Sequence, residues 1–326
     1  MPETGAAPGS EPSRRVLPWS LICKLVAAGS SLLLLAAILS PGGIGFAPAL
    51  SGLIPGLMAG TMGRPPAPYL AILSLAIALA SLLLWPDIAG LWFFAALLAA
   101  GAGIESRVIG GRAFVAALYG WLSILLIPAM PPIGAALPWL LIGLAWGLVA
   151  ARLLNLTAIA APPPSGAGFA VGLVIFLLAG LSAALVLTEK IGSPFGHWLV
   201  LLFVVRALTP QGRTIRAALR FGAGAAVGCA LALFMTPFDL PDGIPLLLAV
   251  CLLLLGLRYL PHPLPLAPAA ITAAVLLGTA PGQDAALFRL EAALIAVALT
   301  LATGIAIGLV WRLLPFPASP SPDPPG

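Results

Sequence analysis

The chain has 326 residues, of which 61% are hydrophobic and only 8% are charged, with a formal net charge of +5. Soluble domains average about 25% charged residues, so this composition excludes a water-soluble protein and indicates a polytopic membrane protein. In such a protein the positive charge reflects basic cytoplasmic loops, and no nucleic-acid partner is predicted. The three cysteines lie inside apolar runs and both histidines are isolated. We therefore expect no disulfide framework, no metal site and no cofactor.

Twelve apolar segments follow one another along the chain, each near the length of roughly 20 residues that crosses the hydrocarbon core. Unpaired strands cannot cross lipid, and the segments are too long and too uniformly apolar for barrel strands. The predicted fold is therefore an all-α polytopic membrane protein with about twelve transmembrane helices. The predicted spans are 17–39, 44–62, 68–85, 88–105, 112–129, 136–154, 168–188, 195–208, 217–236, 244–260, 264–280 and 289–313.

Basic residues are sorted to one side of the predicted spans. If the N-terminus is inside, only Lys190 and Arg289 fall on the outer side, and the inner side collects Arg14, Arg15, Arg64, Arg107, Arg112, Arg152, Arg206, Arg213, Arg216, Arg220, Arg258 and Arg312. The positive-inside rule then places both termini in the cytoplasm. The arginine pair near the N-terminus is expected to anchor the first span, since many spans follow it, and not to form a cleaved twin-arginine signal.

Two short sequence echoes indicate that the chain consists of two copies of a six-span unit. W-P-D at 85–87 is matched by L-P-D at 240–242, and G-L-V-A-A-R-L-L at 147–154 is matched by G-L-V-W-R-L-L at 308–314. Parallel repeats of this kind occur in transporters, whereas chance similarity between apolar sequences is the alternative. The predicted domains are a disordered cytoplasmic tail 1–15, a first six-helix repeat 16–160, a cytoplasmic linker 161–167, a second six-helix repeat 168–314, and a disordered cytoplasmic tail 315–326.

The stretch 193–234 concentrates the unusual features of the chain. A short apolar run from His197 to Arg206 forms the eighth span, and a polar turn, three arginines and a glycine-rich helix follow it. Its counterpart in the first repeat, the second span, is rich in glycine and is predicted to be broken by Pro48 and Pro55. Paired spans that are short or interrupted point to a transport site, because broken helices expose backbone groups that lipid cannot satisfy. We expect a substrate passage between these two spans.

Three segments of this region resemble the fusaric acid resistance (FUSC) and aromatic acid exporter family of bacterial inner-membrane proteins. They are H-W-L-V-L-L-F-V-V at 197–205, T-P-Q-G-R-T at 209–214 and A-L-R-F-G-A-G-A-A-V-G at 218–228. Many family members carry a large cytoplasmic domain between the two membrane halves, where this chain has only 155–166, so it resembles a short, membrane-only relative. The resemblance implies proton-driven export of aromatic or other hydrophobic carboxylic acids, often beside a periplasmic adaptor protein.

The second and eighth spans supply candidates for substrate binding or gating. His197 titrates near neutral pH and can gate the outer end together with Trp198, or the two form an interfacial anchor. Arg206, at the cytoplasmic end, can hold a carboxylate bidentately, or it snorkels to the interface. Pro48 and Pro55 are the matching candidates in the second span.

Charged residues elsewhere supply the remaining candidates. Arg220 precedes a glycine face and can bind substrate, or it contacts lipid phosphates. Lys24 lies inside the first span, where it either binds substrate or snorkels. Glu105 is the proton-coupling candidate, with a local ion pair to Arg107 as the alternative. The glycines of the ninth span indicate close helix packing and not a nucleotide loop, because no strand precedes them: Gly222, Gly224 and Gly228.

These features predict a secondary transporter and not an enzyme, because the sequence shows no cluster of carboxylates, histidines or metal ligands. The predicted partners are the lipid bilayer, a small hydrophobic acid, a second copy of the chain and, through the resemblance, a periplasmic adaptor. The alternative is a non-transporting membrane subunit that scaffolds an export or envelope complex, which also fits the sparse intramembrane charge. A membrane enzyme that acts on lipid is a weaker third hypothesis.

Overall fold

The structure is a computed structural model, and it describes residues 16–40, 45–61, 66–84, 88–126, 132–156, 164–193, 195–207, 214–235, 241, 243–262, 264–279 and 283–313. These residues form α-helices, with no strand among them, so the all-α prediction is confirmed. In chain order the helices are α1 (Trp19–Leu39), α2 (Phe46–Thr61), α3 (Pro66–Leu84), α4 (Ile88–Val108), α5 (Ala113–Leu126), α6 (Ile133–Leu153), α7 (Ala167–Ile191), α8 (His197–Ala207), α9 (Thr214–Met235), α10 (Ile244–Arg258), α11 (Leu266–Thr279) and α12 (Gln283–Leu313).

Six of these helices are long and apolar enough to cross a membrane, namely α1, α4, α6, α7, α9 and α12. Large apolar side chains are widely exposed on the helices, as at Leu34 (63%), Ile38 (69%) and Leu153 (72%). A water-soluble monomer rarely exposes contiguous apolar surface on this scale, so the helices are suited to face lipid. The chain is therefore a helical membrane protein, whereas the twelve spans and the two repeats stay predictions.

Residue contacts divide the chain into two compact units. The first comprises Met1–Cys23 and Arg220–Leu290, and the second comprises Lys24–Leu219 and Glu291–Gly326. The second unit contains α2 to α8 and the greater part of α1 and α12.

Helix α5 is the central helix of the second unit. It packs against α2, α3, α4 and α8, and all of its residues except Tyr119 and the last two are buried. Its sequence, A-F-V-A-A-L-Y-G-W-L-S-I-L-L, carries no charge and so tolerates burial on every side. Helix α8 is also mostly buried, between α5 and α7. Because α5 packs against both α2 and α8, it lies where the sequence predicts a substrate passage between these two helices.

Helices α2 and α6 form the closest helix pair of the second unit through glycines on both sides. A Cβ built on Gly56 would lie 2.5 Å from the Leu144 carbonyl oxygen, and one built on Gly147 would lie 2.6 Å from the Leu53 carbonyl oxygen. The glycines recur every four residues on each helix, at Gly52, Gly56 and Gly60 and at Gly143 and Gly147. This is the small-residue spacing that lets helix backbones approach closely in membranes.

The predicted break of the second span at Pro48 and Pro55 is wrong, because α2 runs without interruption from Phe46 to Thr61. Both prolines are buried. Pro48 lies in the first turn, where a missing N–H removes no helical hydrogen bond. The glycines of α2 therefore serve its contact with α6 and do not mark an unwound segment.

In the first unit, the start of α1 lies against the end of α10. The Leu17 amide donates to the Arg258 carbonyl oxygen at 2.8 Å, and the Arg258 guanidinium lies 4.5 Å from the centre of the Trp19 ring. Helices α10 and α11 pack together along their lengths. Gly224 and Gly228 of α9 lie against α11, since a Cβ at Gly224 would be 2.7 Å from the Pro265 carbonyl oxygen.

Substituting Gly147 with alanine is expected to lower the free energy of unfolding by about 1–3 kcal/mol, because the new methyl group would meet backbone atoms of α2 that cannot turn aside. Gly134→Ala on the same helix is the matched control. A Cβ there meets nothing within 4 Å, so its effect should stay within about 0.5 kcal/mol of wild type. Denaturant titration in detergent measures both variants. Equal stability of the two would contradict the close α2–α6 contact.

Candidate functional site

A buried carboxylate joins the end of α4 to the start of α5. Glu105 is completely buried, and its two oxygens accept hydrogen bonds from the amides of Ala113 and Phe114, each at 2.8 Å. The first amides of a helix have no partner within the helix, and a negative charge at this end is favourable. Glu105 therefore satisfies two amides of α5 from a neighbouring helix.

The turn between α4 and α5 is built to bring these groups together. Gly110 has a φ of 73°, a left-handed conformation that glycine adopts without strain, and it reverses the chain after α4. Gly101, one turn before Glu105, leaves room for the Phe114 ring, which would collide with any side chain at that position. One face of α4 thus contacts the ring of Phe114 at Gly101 and accepts a hydrogen bond from its amide at Glu105.

Two buried serines tie this turn to the segment that precedes α7. The hydroxyl oxygens of Ser106 and Ser165 lie 2.6 Å apart, and the Ser165 amide donates to the Ser106 carbonyl oxygen at 2.9 Å. Both residues are buried, so the two bonds replace water for groups that would otherwise lack partners. We call Glu105, Ser106, Arg112 and Ser165 the α4–α5 polar cluster.

Arg112 is the basic member of this cluster. Its side chain is only 4% exposed, and one of its terminal nitrogens, Nη1, donates to the Gly111 carbonyl oxygen at 2.8 Å. The guanidinium carbon lies 5.6 Å from the centre of the Phe169 ring in the first turn of α7. The opposite charges of Arg112 and Glu105 attract each other across the turn. A buried anion and a buried cation thus share the end of two apolar helices.

The α4–α5 polar cluster was only partly visible in the sequence. Glu105 is a predicted candidate, but its expected alternative partner, Arg107, is exposed, and the carboxylate bonds amides of α5. Arg112 is predicted only as a topology residue. The spacing E-S-R-V-I-G-G-R, with two glycines between a glutamate and an arginine, is the feature that could have indicated a buried pair across a tight turn.

The three candidates of the eighth span, His197, Trp198 and Arg206, all lie on α8. His197 is half-buried in its first turn, next to Trp198, which is buried and lies 5.2 Å from the Phe195 ring, centre to centre. Arg206 is half-buried in its last turn. Since α8 runs between them, the histidine and the arginine lie at opposite ends of the helix and do not form one site.

The candidates of α1 and α9 have separate surroundings. Arg220 donates to the His262 carbonyl oxygen at 2.7 Å, which ties the start of α9 to the turn between α10 and α11. Lys24 is half-buried in α1. Gly228 meets α11, since a Cβ there would lie 2.8 Å from Thr272 Cβ, and Gly222 is buried on the same helix. The described contacts of Arg220 are therefore structural.

An apolar groove lies between α7 and α12 in the second unit, lined by Ile175, Ala179, Thr303, Ala306, Ile307 and Val310. Its one hydroxyl group, on Thr303, donates to the Leu299 carbonyl oxygen of its own helix at 2.6 Å. The groove is suited to a hydrocarbon chain, and its lining offers no charge to hold an acid. No group of three potential metal ligands occurs in the described part of the chain.

Comparisons of the chain with protein-family models, with curated proteins and with solved structures find no match.

Replacing Glu105 with alanine should destabilise the protein, because two buried amides of α5 would lose their partner, at about 1–3 kcal/mol for each. Glu105→Gln keeps one acceptor oxygen and should lose less than the alanine variant. Chemical unfolding of the wild type and both purified variants in the same detergent measures their free energies of unfolding. If alanine and glutamine cost the same, or neither costs anything, the carboxylate does not cap α5.

Proposed function

We propose that the chain is an inner-membrane secondary transporter that exports aromatic or other hydrophobic carboxylic acids, driven by the proton gradient. Under this proposal it is a short, membrane-only relative of the fusaric acid resistance and aromatic acid exporter family. A periplasmic adaptor and a homo-oligomer belong to the same proposal, and both termini face the cytoplasm.

The short, buried helix α8 is the observation that carries the proposal. Its 11 residues extend about 16 Å, roughly half of the hydrocarbon core. A helix this short does not cross the core by itself, and a helix end at membrane depth is tolerated only where protein buries the backbone or a cavity solvates it. Burial of α8 between α5 and α7 meets the first condition. Discontinuous helices of this kind line the substrate sites of secondary transporters.

Contacts between helix ends agree with the proposed alternation of spans. With an inner N-terminus, the start of α1 and the end of α10 both face the cytoplasm, and Trp19 contacts Arg258. The Arg220–His262 bond in the first unit and the Ser106–Ser165 bond in the second also join helix ends that the proposed topology places on the cytoplasmic side. In each of these three contacts, the two ends that meet are assigned to the same side by the alternation of spans.

A scaffold subunit without transport activity is the second candidate function. It is favoured by the structural use of two predicted site residues, since Glu105 bonds amides of α5 and Arg220 bonds a turn carbonyl. Under this alternative, purification in mild detergent should recover a stoichiometric partner, and Arg206→Ala should leave function intact.

Cells that express the chain are expected to accumulate less of at least one acid from a panel of aromatic acids than cells without it, and an uncoupler should remove the difference. Arg206→Ala should reduce export at least several-fold, because Arg206 is proposed to bind the acid carboxylate. Arg107→Ala is the control, since Arg107 is an exposed arginine at a helix end. The proposal fails if no acid in a broad panel is affected.

The two ends of α7 should be accessible from opposite sides of the membrane. Its 25 residues extend about 37 Å, enough to cross the bilayer. In a variant without native cysteines, Ser193→Cys should react with an impermeant maleimide added to intact spheroplasts. Gly166→Cys, exposed at the other end with open space around its Cβ, should react only after permeabilisation. The reverse labelling pattern would invert the proposed topology.

A further inference from the structure

The guanidinium of Arg112 has a donor edge that no described residue uses. Nη1 is bonded to the Gly111 carbonyl oxygen, whereas Nε and Nη2 are buried and have no hydrogen-bond partner among the described residues. These two nitrogens lie on the same edge of the guanidinium plane, and their N–H groups point in parallel. This is the edge that receives both oxygens of a carboxylate in a bidentate pair.

A cation in this position is costly unless a ligand completes its hydrogen bonds. Arg112 is 4% exposed, so water does not reach its free edge in the described structure. Glu105 attracts the charge, but both of its oxygens are engaged by the amides of Ala113 and Phe114. Buried polar groups are normally paired, and an unpaired one in a native structure calls for an explanation.

We propose that the Nε–Nη2 edge of Arg112 binds the carboxylate of a small organic acid. A carboxylate is planar and carries one negative charge, so it matches the two parallel donors. A phosphate dianion would place two negative charges near Glu105, which disfavours it. The identity of the acid as a transported substrate rests on the proposed function, but the binding site does not.

The start of α7, which lies beside the guanidinium, is exposed. The ring beside the guanidinium belongs to Phe169, in the first turn of α7. Gly166 and Gly168, which precede it, are exposed, and a Cβ on either would meet nothing within 4 Å. Open space therefore borders the turn that covers Arg112. The alternation of spans assigns this end to the cytoplasm, the side from which an exporter loads.

Equilibrium binding of benzoate to the purified full chain tests the site without requiring transport. The protein is placed in phosphatidylcholine nanodiscs, and its thermal midpoint is measured against benzoate and against benzamide, a neutral ligand of the same shape. A ligand that binds only the folded state raises the midpoint saturably. We expect half-saturation at a benzoate concentration at least tenfold below that of benzamide, because only benzoate forms the charged bidentate pair.

Variants assign the binding to Arg112. Arg112→Lys keeps the positive charge but not the two parallel N–H donors, and it should weaken benzoate binding about tenfold. Arg112→Gln removes the charge and should abolish the preference for benzoate. Arg107→Gln, at an exposed arginine of the same turn, should match wild type. If neither Arg112 variant folds, benzoate must shift a buried arginine Nε–H resonance of the wild-type protein.

Several outcomes would overturn the proposal. They are equal binding of benzoate and benzamide, an unchanged preference in Arg112→Gln, or no shifted resonance in the wild-type protein. A second experiment repeats the benzoate titration in nanodiscs that contain phosphatidylglycerol. If that lipid abolishes benzoate binding and Arg112→Gln weakens retention of the lipid, a headgroup phosphate occupies the edge. Benzoate binding without export would refute only the transporter, whereas export together with equal binding of benzoate and benzamide would refute only the site.

Discussion

Lipid offers no hydrogen bonds, and this constraint explains most of the structure. Helix α5 is surrounded by other helices, yet its first amides must still find acceptors, and Glu105 on α4 supplies them. The same requirement accounts for the paired hydroxyls of Ser106 and Ser165 and for the bond from Arg220 to a turn carbonyl. These three polar contacts all lie where helices end, because helix ends are where backbone groups lack partners.

Close packing without bulky side chains is the second recurring feature. Glycines on α2 face glycines on α6, and single glycines receive whole rings, as Gly180 of α7 receives Phe203 of α8. Between lipid-soluble helices there is no hydrophobic force for association, so van der Waals contact over short distances has to supply it. The glycines at these contacts are in this respect part of the core.

The sequence was informative where a property is set by composition or local spacing. The all-α class follows from apolar runs, and the short α8 follows from its flanking residues. The predicted break of the second span is wrong because glycine and proline occur both in broken helices and in helices that pack closely. Only the presence of α6 decides between these two structures. Arg112 was overlooked as a site residue for a related reason. Its guanidinium contacts Phe169 of α7, which is distant in the chain, so the local E-S-R-V-I-G-G-R spacing can indicate a buried pair but does not show the Phe169 contact.

The carboxylate cap of α5 also bears on how the protein enters the membrane. Helix α5 has 14 residues, about 21 Å, and is too short to cross the hydrocarbon core alone. Released singly from the insertion machinery, it would expose its first amides to lipid. With α4 beside it, Glu105 covers two of those amides and the Gly110 turn closes the pair. The α4–α5 hairpin therefore supplies partners for these amides from its own side chains, without help from the rest of the chain.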